Sequence, residues 1–189
     1  MKFIRTEIPE VIVIEPTVHG DSRGHFSETF REDKLKEFLG YKIDFIQDNE
    51  SKSSKGVLRG LHYQLSPKAQ TKLVRVIEGR VLDVAVDIRK DSPTFGKHIA
   101  VELSSQNRKQ LLIPRGFAHG FAVLSEKAIF SYKVDNYYSP ENDRGLLYSD
   151  FGIDWQIPEE DILLSEKDKI QPKLSEAEEL FTYGENLYV

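Results

Sequence analysis

The feature that most constrains this sequence is a series of short apolar runs, separated by turn residues, with little of the 3.6-residue period of a helix. Seven runs are rich in Val, Ile, Leu and Phe, and Gly, Pro, Asn or Ser separates most of them: 11–14, 71–77, 81–88, 99–103, 109–113, 117–124 and 127–134. Many short strands at regular spacing predict an antiparallel sandwich or barrel rather than an alternating α/β fold.

Local patterns predict one hairpin and two helices. Glu78-Gly79 is a tight-turn signal, so we expect strands 71–77 and 80–89 to form a hairpin. Residues 32–39 are followed by Gly40 and predict a helix. Residues 175–180 predict a second helix, since Ser175 is a suitable N-cap with Glu178 three residues later.

Charge is unevenly distributed along the chain. The formal net charge is −5, but residues 1–134 hold 22 basic and 17 acidic side chains, whereas residues 135–189 hold 4 and 14. The acidic total argues against nucleic-acid binding, while the body keeps basic groups for a smaller anion. We expect one domain over residues 1–189, with the acidic segment 135–189 wrapping the body and contributing to the site.

Missing residue types and motifs exclude several classes of protein. The sequence contains no Cys, which excludes disulfides, thiolate metal sites and Cys nucleophiles. No apolar run approaches the ~18–20 residues of a membrane span, and the N-terminus lacks a signal-peptide core, so we expect a soluble, cytoplasmic protein without a membrane partner. No phosphate-binding glycine loop occurs, which disfavours a Rossmann domain or a P-loop.

Polar side chains within apolar strands are the chemical oddity, because a buried polar group is costly unless it is paired. His62 and His119 lie within apolar runs, Lys72 opens a strand, and Tyr132 lies inside another. Each of them alone is more often a structural residue. Their presence on separate strands of one small β domain favours a functional site.

The two histidines fit a metal site of the cupin type only in part. Such a site uses an H-x-H pair, a later Glu and a distant His, and the P-x-G-x-x-H pattern ending at His119 matches its second half. The first half fails, because Gln64 stands two residues after His62 and Lys72 occurs where an acidic ligand is expected. An amide is a poor ligand and an ammonium repels a cation, so we expect no metal.

Several linked motifs extend over most of the chain. They comprise LRGLHYQ at 58–64, AQTKLV at 69–74, VAVDIR at 84–89, SPTFG at 92–96, IPRGFAHGF at 113–121, and the stretch 132–140. Together they closely resemble the dTDP-4-dehydrorhamnose 3,5-epimerase family, from about residue 2 to about residue 172. The resemblance implies an all-β, cupin-type double-stranded antiparallel β-helix (jelly roll) with a few short peripheral helices. It also implies a homodimer without metal or organic cofactor.

The family's reaction explains the residue types. The resemblance implies that dTDP-4-dehydro-6-deoxy-D-glucose is inverted at C3 and C5, giving dTDP-4-dehydro-L-rhamnose. Hydrogens beside the C4 ketone are weakly acidic, and a base with a near-neutral pKa suits their removal, so His62 is the predicted base. Asp168 is its implied partner, and Asp83 is the alternative. Lys72 is expected to stabilise the enolate, and Tyr132 to supply a proton from the other face.

The resemblance also implies a set of substrate contacts. These are expected from Arg23, Glu28, Gln47, Asn49, Arg59, Lys72, His119, Tyr138, Asp143 and Lys167. Tyr138 matches an aromatic residue that stacks on thymine. Asp143 departs from the family pattern, which usually has Glu at this position.

One geometric difficulty concerns Arg59 and His62, which lie three residues apart. In a straight strand their side chains point to opposite faces. Both reach one pocket only if the strand bulges or twists, and Gly60 is the expected place.

Two other functions stay open at the level of sequence. A C3-only or C5-only epimerase of a dTDP-4-keto sugar uses the same base and acid. A non-catalytic sugar-binding or metal-binding cupin is a different class, which the broken metal pattern and the combination of His62, Lys72 and Tyr132 disfavour.

Overall fold

The computed structural model describes residues 1–188, which form fifteen strands and two α-helices. The strands are β1 (Lys2–Arg5), β2 (Ile12–Glu15), β3 (Val18–Asp21), β4 (Gly24–Ser27), β5 (Gln47–Ser54), β6 (Leu58–Gln64), β7 (Lys72–Glu78), β8 (Arg80–Asp87), β9 (Arg89–Lys90), β10 (His98–Ser104), β11 (Gln110–Ile113), β12 (Phe117–Val123), β13 (Lys127–Val134), β14 (Asp143–Gly145) and β15 (Phe181–Thr182). The helices are α1 (Glu32–Leu39) and α2 (Glu166–Lys169).

Two antiparallel sheets make up the body of the molecule. The larger sheet has the strand order β1-β2-β11-β7-β13-β5, and the smaller one has the order β10-β8-β12-β6-β14. Separate pairs are formed by β3 with β4 and, in parallel, by β15 with β9. This architecture confirms the predicted all-β, cupin-type jelly roll with a few short peripheral helices. Within residues 1–188, no helix has the length and apolar character needed to span a membrane.

The predicted hairpin of residues 71–77 and 80–89 is wrong, although the turn at Gly79 exists. β7 pairs with β11 and β13 in the larger sheet, whereas β8 pairs with β10 and β12 in the smaller one. Gly79 has a φ of 84°, and a Cβ atom there would lie 2.1 Å from the carbonyl oxygen of Lys127. The turn therefore carries the chain from one sheet to the other instead of closing a hairpin.

Alternation along β8 explains how the two faces of the smaller sheet are covered. Ala85 packs in the interior between the sheets, and Leu82, Val84 and Val86 pack on the outer face. Because successive side chains in a strand point to opposite faces, one sequence run serves two apolar layers. The outer layer is closed by side chains of the acidic C-terminal segment, including Trp155.

The two helix predictions have different outcomes. α1 spans the predicted residues, and the backbone N–H of Gly40, in the left-handed conformation, donates to Lys36 O. The predicted helix at 175–180 is wrong, because only a 3-10 turn at Leu174–Glu176 forms and the backbone of Ala177 is extended. The chain has to leave the turn in an extended path to pair β15 with β9.

A bulge in β6 resolves the difficulty posed by Arg59 and His62. His62 is opposite His119 on β12, while Arg59 is opposite Phe121, so three steps on β6 match two on β12. The extra residue lies at Gly60, as expected. A Cβ atom at Gly60 would lie 2.5 Å from the Cα of Gly120, so the two backbones are in contact there.

We expect Gly60→Ala to lower the free energy of unfolding by about 3 kcal/mol, because the added methyl group meets backbone that cannot move aside. Gly24→Ala is the matched control, since Gly24 has a similar φ (131° against 123°) with no atom within 4 Å of a Cβ there. This control is expected to cost about 1 kcal/mol, from backbone strain alone. Chemical denaturation measures both variants, and equal losses would contradict a tight β6–β12 contact.

Candidate active site

A cavity of about 620 Å³ opens between the two sheets. Seven of the side chains singled out in the sequence line it: Asn49, Arg59, His62, Lys72, His119, Tyr132 and Asp168. β6 and β12 of the smaller sheet contribute to one wall, and β5, β7 and β13 of the larger sheet contribute to the other. Elements far apart in sequence therefore meet in one concave, partly polar site.

His62 pairs with Asp168, and not with the alternative partner Asp83. The distance between His62 Nε2 and Asp168 Oδ1 is 2.5 Å, and Asp168 is only 2% exposed. Burial raises the pKa of this carboxyl, but the hydrogen bond and charge of His62, helped by Ser165, more than offset it, so the pKa of Asp168 lies below its ordinary value. The ionised carboxylate can only accept, so Nε2–H of His62 donates to it and Nδ1 is left for another partner.

Asp83 belongs to a second histidine–carboxylate pair. His119 Nε2 lies 2.9 Å from Asp83 Oδ2, and both side chains are buried. Burial raises the pKa of Asp83 and lowers that of His119. Within residues 1–188, Asp83 Oδ1 is the one buried side-chain polar atom without a hydrogen-bond partner. The interior thus disfavours an isolated charge on either member of this pair.

Lys72 and Tyr132 lie on the larger sheet, across from the histidines. Lys72 Nζ donates a long hydrogen bond of 3.4 Å to the backbone oxygen of His62. Burial lowers the pKa of Lys72 to about 8, although Asp143 and Asp83 act in the opposite direction. Burial also raises the pKa of Tyr132, so its phenol keeps its proton at neutral pH. The cavity therefore contains an ammonium group that is more acidic than usual and a phenolic proton donor.

The polar side chains of β5 and β6 are held by their neighbours. Gln47 Nε2 donates to Asn49 Oδ1 at 2.9 Å, and Arg59 Nε donates to Ser53 Oγ at 3.2 Å. Asn49 and Arg59 line the cavity, whereas Gln47 does not line it and contacts it only by its hydrogen bond to Asn49. The amide and the guanidinium thus have set orientations before any ligand binds.

Tyr138, Asp143 and Lys167 form a separate polar cluster on neighbouring elements. Asp143 Oδ2 accepts from the Tyr138 hydroxyl at 3.1 Å and makes an ion pair with Lys167. None of the three lines the cavity, but β14 carries Asp143 beside β6, and Lys167 precedes Asp168. The cluster therefore offers a cation and an aromatic ring next to the site.

Arg23 and Glu28 are not brought to this cavity. Arg23 lies at the turn of the exposed β3–β4 hairpin, where its side chain is 88% exposed and pairs with Asp21. Glu28 follows the hairpin and pairs with Arg31. Within one copy of the chain, these two predicted substrate contacts are apart from the rest.

Sequence reasoning missed the serines that support the site. Ser165 Oγ lies 2.8 Å from Asp168 Oδ2, and Ser53 holds Arg59. For Ser165 a signal existed, since S-x-x-D is the pattern of a residue that caps a helix. For Ser53 no local pattern relates it to Arg59 across the turn between β5 and β6.

The histidines do not converge on a common point that suits a metal ion. Among residues 1–188, no group of three or more His, Asp or Glu side chains has the arrangement of a metal site. Each imidazole is instead engaged with a carboxylate of its own, and Lys72 adds a positive charge beside His62.

The chain is similar to characterised proteins over nearly its whole length. The family model described as dTDP-4-dehydrorhamnose 3,5-epimerase matches residues 5–176. A dTDP-4-dehydrorhamnose 3,5-epimerase of Shigella flexneri is 58% identical over 168 residues, which cover 89% of this chain and 93% of that protein.

Two crystal structures extend the comparison to three dimensions. A dTDP-6-deoxy-D-glucose-3,5-epimerase of Legionella pneumophila, in complex with dTDP-4-keto-L-rhamnose, has a TM-score of 0.93 and 48% identity, covering 97% of this chain and 99% of that one. A 3′-monoepimerase of Streptomyces bikiniensis, in complex with dTDP-quinovose, has a TM-score of 0.87 and 31% identity, covering 94% and 92%. From the match of the family model and the identity to the Shigella protein, this chain belongs to the dTDP-4-dehydrorhamnose 3,5-epimerase family.

Proposed function

We propose that this protein inverts C3 and C5 of dTDP-4-dehydro-6-deoxy-D-glucose and so forms dTDP-4-dehydro-L-rhamnose. The observation that carries the proposal is that His62 and Tyr132 face one cavity from opposite sheets. Inverting a carbon centre requires that a proton leave one face and another arrive on the opposite face. Two proton-handling groups on opposite walls meet this requirement, and one histidine alone does not.

His62 is the base in this proposal. Its Nδ1 takes the proton from the carbon beside the C4 ketone, while Nε2–H stays bonded to Asp168. The electron pair of the broken C–H bond enters the C3–C4 or C4–C5 bond, and the ketone becomes an enolate with its charge on O4. Asp168 stabilises the resulting imidazolium.

Lys72 and Tyr132 complete the reaction. The Lys72 ammonium stabilises the charge on O4, an effect that is strong in a partly dry cavity. The Tyr132 hydroxyl gives its proton to the carbanion centre from the other wall, which inverts that carbon. Solvent then reprotonates the phenolate and takes the proton from the imidazolium, so no net proton is consumed and no redox step is needed.

The nucleotide part of the substrate requires cations and an aromatic surface beside this cavity. Arg59 and Lys167 are available for the diphosphate, and an arginine fork suits phosphate oxygens. The Tyr138 ring, 59% exposed, is available for stacking on thymine. Asn49 and His119 offer hydrogen bonds to the sugar. In this proposal Asp143 releases Lys167 and Tyr138 when the nucleotide binds.

Incubation with the 4-keto sugar nucleotide in deuterated water tests the function, with C3 and C5 followed by NMR. We expect deuterium at both carbons of the wild-type product. Deuterium at one carbon only would identify a C3-only or C5-only epimerase. No exchange at either carbon would reject an enzymatic function and leave a sugar-binding protein.

Two variants in the same experiment separate the base from the acid. We expect His62→Ala to abolish exchange at both carbons. In Tyr132→Phe the base still acts, so deuterium enters from the His62 side without inversion, and epimerisation falls by about 100-fold or more. Full epimerisation by Tyr132→Phe would show that another group supplies the proton.

The lowered pKa of Lys72 predicts a basic limit to activity. Lys72 is charged below its pKa of about 8 and neutral above it, so kcat/KM is expected to fall about tenfold per pH unit above that value. Lys127→Met, which removes an exposed lysine of β13 paired with Glu78, is expected to keep this profile. A kcat/KM that stays constant to pH 9.5 in the wild type would rule out a required Lys72 ammonium.

We further propose that two copies of the chain assemble and share their sites. Arg23 and Glu28 match substrate contacts of the family, yet they lie on or beside a hairpin that is exposed along both strands. Phe26 of this hairpin is 67% exposed, so its ring is available to pack against a second copy. A hairpin that reaches the cavity of a second copy would bring Arg23 and Glu28 to the substrate and bury Phe26.

Complementation tests the shared site. Arg23→Ala and His62→Ala are each expected to have little activity as pure proteins. After unfolding and refolding as an equal mixture, half of the dimers are mixed, and each has one site with both native residues, so about one quarter of wild-type activity returns. Light scattering should give about twice the mass of one chain. An elution as monomer, or a dimer without recovered activity, would contradict a site built from two copies.

A further inference from the structure

The Asp168 carboxylate is held on an element that offers little support of its own. α2 has only four residues, too few to fix a side chain by regular helix packing. The preceding chain is anchored to the strand that carries His62: Leu163 N–H donates to Gly56 O at 2.9 Å, and Leu58 N–H donates to Leu163 O at 3.0 Å. Ser165, which lies between this anchor and α2, hydrogen-bonds to the carboxylate.

Ser165 contacts Asp168 in two directions. Its Oγ accepts from the Asp168 backbone N–H at 3.2 Å, which makes Ser165 the N-cap of α2. The same hydroxyl donates to Asp168 Oδ2 at 2.8 Å, while Asp168 Oδ1 faces His62. One serine therefore fixes both the backbone and the carboxylate of Asp168.

We propose that Ser165 is a positioning residue for the base, which acts through Asp168 by orienting its carboxylate and keeping it ionised. The inference rests on the proposed function, since it assigns a purpose to the His62–Asp168 pair. With Oδ2 bound to the hydroxyl, Oδ1 is directed at Nε2 of His62, and Nδ1 is left free for the substrate. The hydroxyl also favours the charged carboxylate, because a donor stabilises an ionised acceptor.

The direction of the pH effect follows from this charge. Without the Ser165 hydroxyl, Asp168 is a stronger base, so the pKa of the coupled pair rises and the acid limb of activity moves to higher pH. Charged and titratable groups surround the pair on the neighbouring elements: Glu50, Arg59, Lys72, Asp83, His119, Tyr132, Asp143 and Lys167. All of them are unchanged in Ser165 variants, so a shift reports on the missing hydroxyl.

The test compares wild type with Ser165→Ala, Ser165→Gly and Ser165→Thr, using exchange kinetics and the pH profile of kcat/KM. We expect the Ala and Gly variants to lower kcat about tenfold, with KM changed less than about threefold, because the missing hydrogen bond acts on the base and not on substrate binding. Their acid limb is expected to move up by about half a pH unit. Thr retains the hydroxyl and should restore both values.

Two controls separate this role from folding. Ser125→Ala removes a turn hydroxyl that accepts from Arg80 N–H and donates to Lys127 O, away from the cavity, and it should leave kcat and the pH profile unchanged. Gly is tolerated at an N-cap. Ser165→Gly is therefore the variant to measure if Ser165→Ala does not fold.

The outcomes separate a failure of the proposed epimerase function from a failure of the role given to Ser165. A wild-type protein without exchange would overturn the proposed function itself. An active wild type with Ser165→Gly variants that keep kcat and the acid limb would overturn only the role of Ser165. The proposal would also be overturned if the Ala and Gly variants had a lowered kcat with an unchanged acid limb, or if Ser165→Thr did not restore activity. Ser165 would then act only as the N-cap of α2.

Discussion

The contact between the backbones of β6 and β12 is the constraint on which the site depends. At Gly60 and Gly120 no Cβ atom fits, and this lets β6 gain one residue against its neighbour. The extra residue allows Arg59 and His62 to serve the same cavity, and it sets His62 opposite His119 in the ladder. The position of His62 is thus decided by a residue without a side chain, Gly60, two residues before it.

Each of the two histidines that face the cavity pairs with a buried carboxylate, which compensates for the loss of water around a charged ring. His119 finds Asp83 on the adjacent strand of its own sheet, whereas His62 finds Asp168 on the acidic C-terminal segment. The segment that closes the outer face of the smaller sheet therefore also supplies one carboxylate to the interior.

The sequence was informative where the cause is local, and less so where it is not. The apolar runs of the strands and the glycine after α1 depend on neighbouring residues, and both agree with the structure. The turn at Gly79 was found, but turn chemistry does not reveal whether the next strand stays in the same sheet. The second predicted helix failed for a similar reason, since pairing of β15 with β9 overrides a weak local preference.

In the site, strand motifs identified His62, Lys72 and Tyr132, but the choice between Asp83 and Asp168 depends on a contact across 106 residues. The separation of Arg23 and Glu28 from the cavity was not visible either, because motifs do not show how far apart two residues lie in the folded chain.

The long sequence separation of His62 and Asp168 has a consequence for how the imidazole can lose its partner. A contact across 106 residues joins the two side chains, and no strand of either sheet includes residues 163–168. The hydrogen bonds of Leu163 with Gly56 and Leu58 hold the segment before Asp168 against the start of β6. Loosening of this one crossing would separate the carboxylate from the imidazole while every strand pair of the two sheets stays formed.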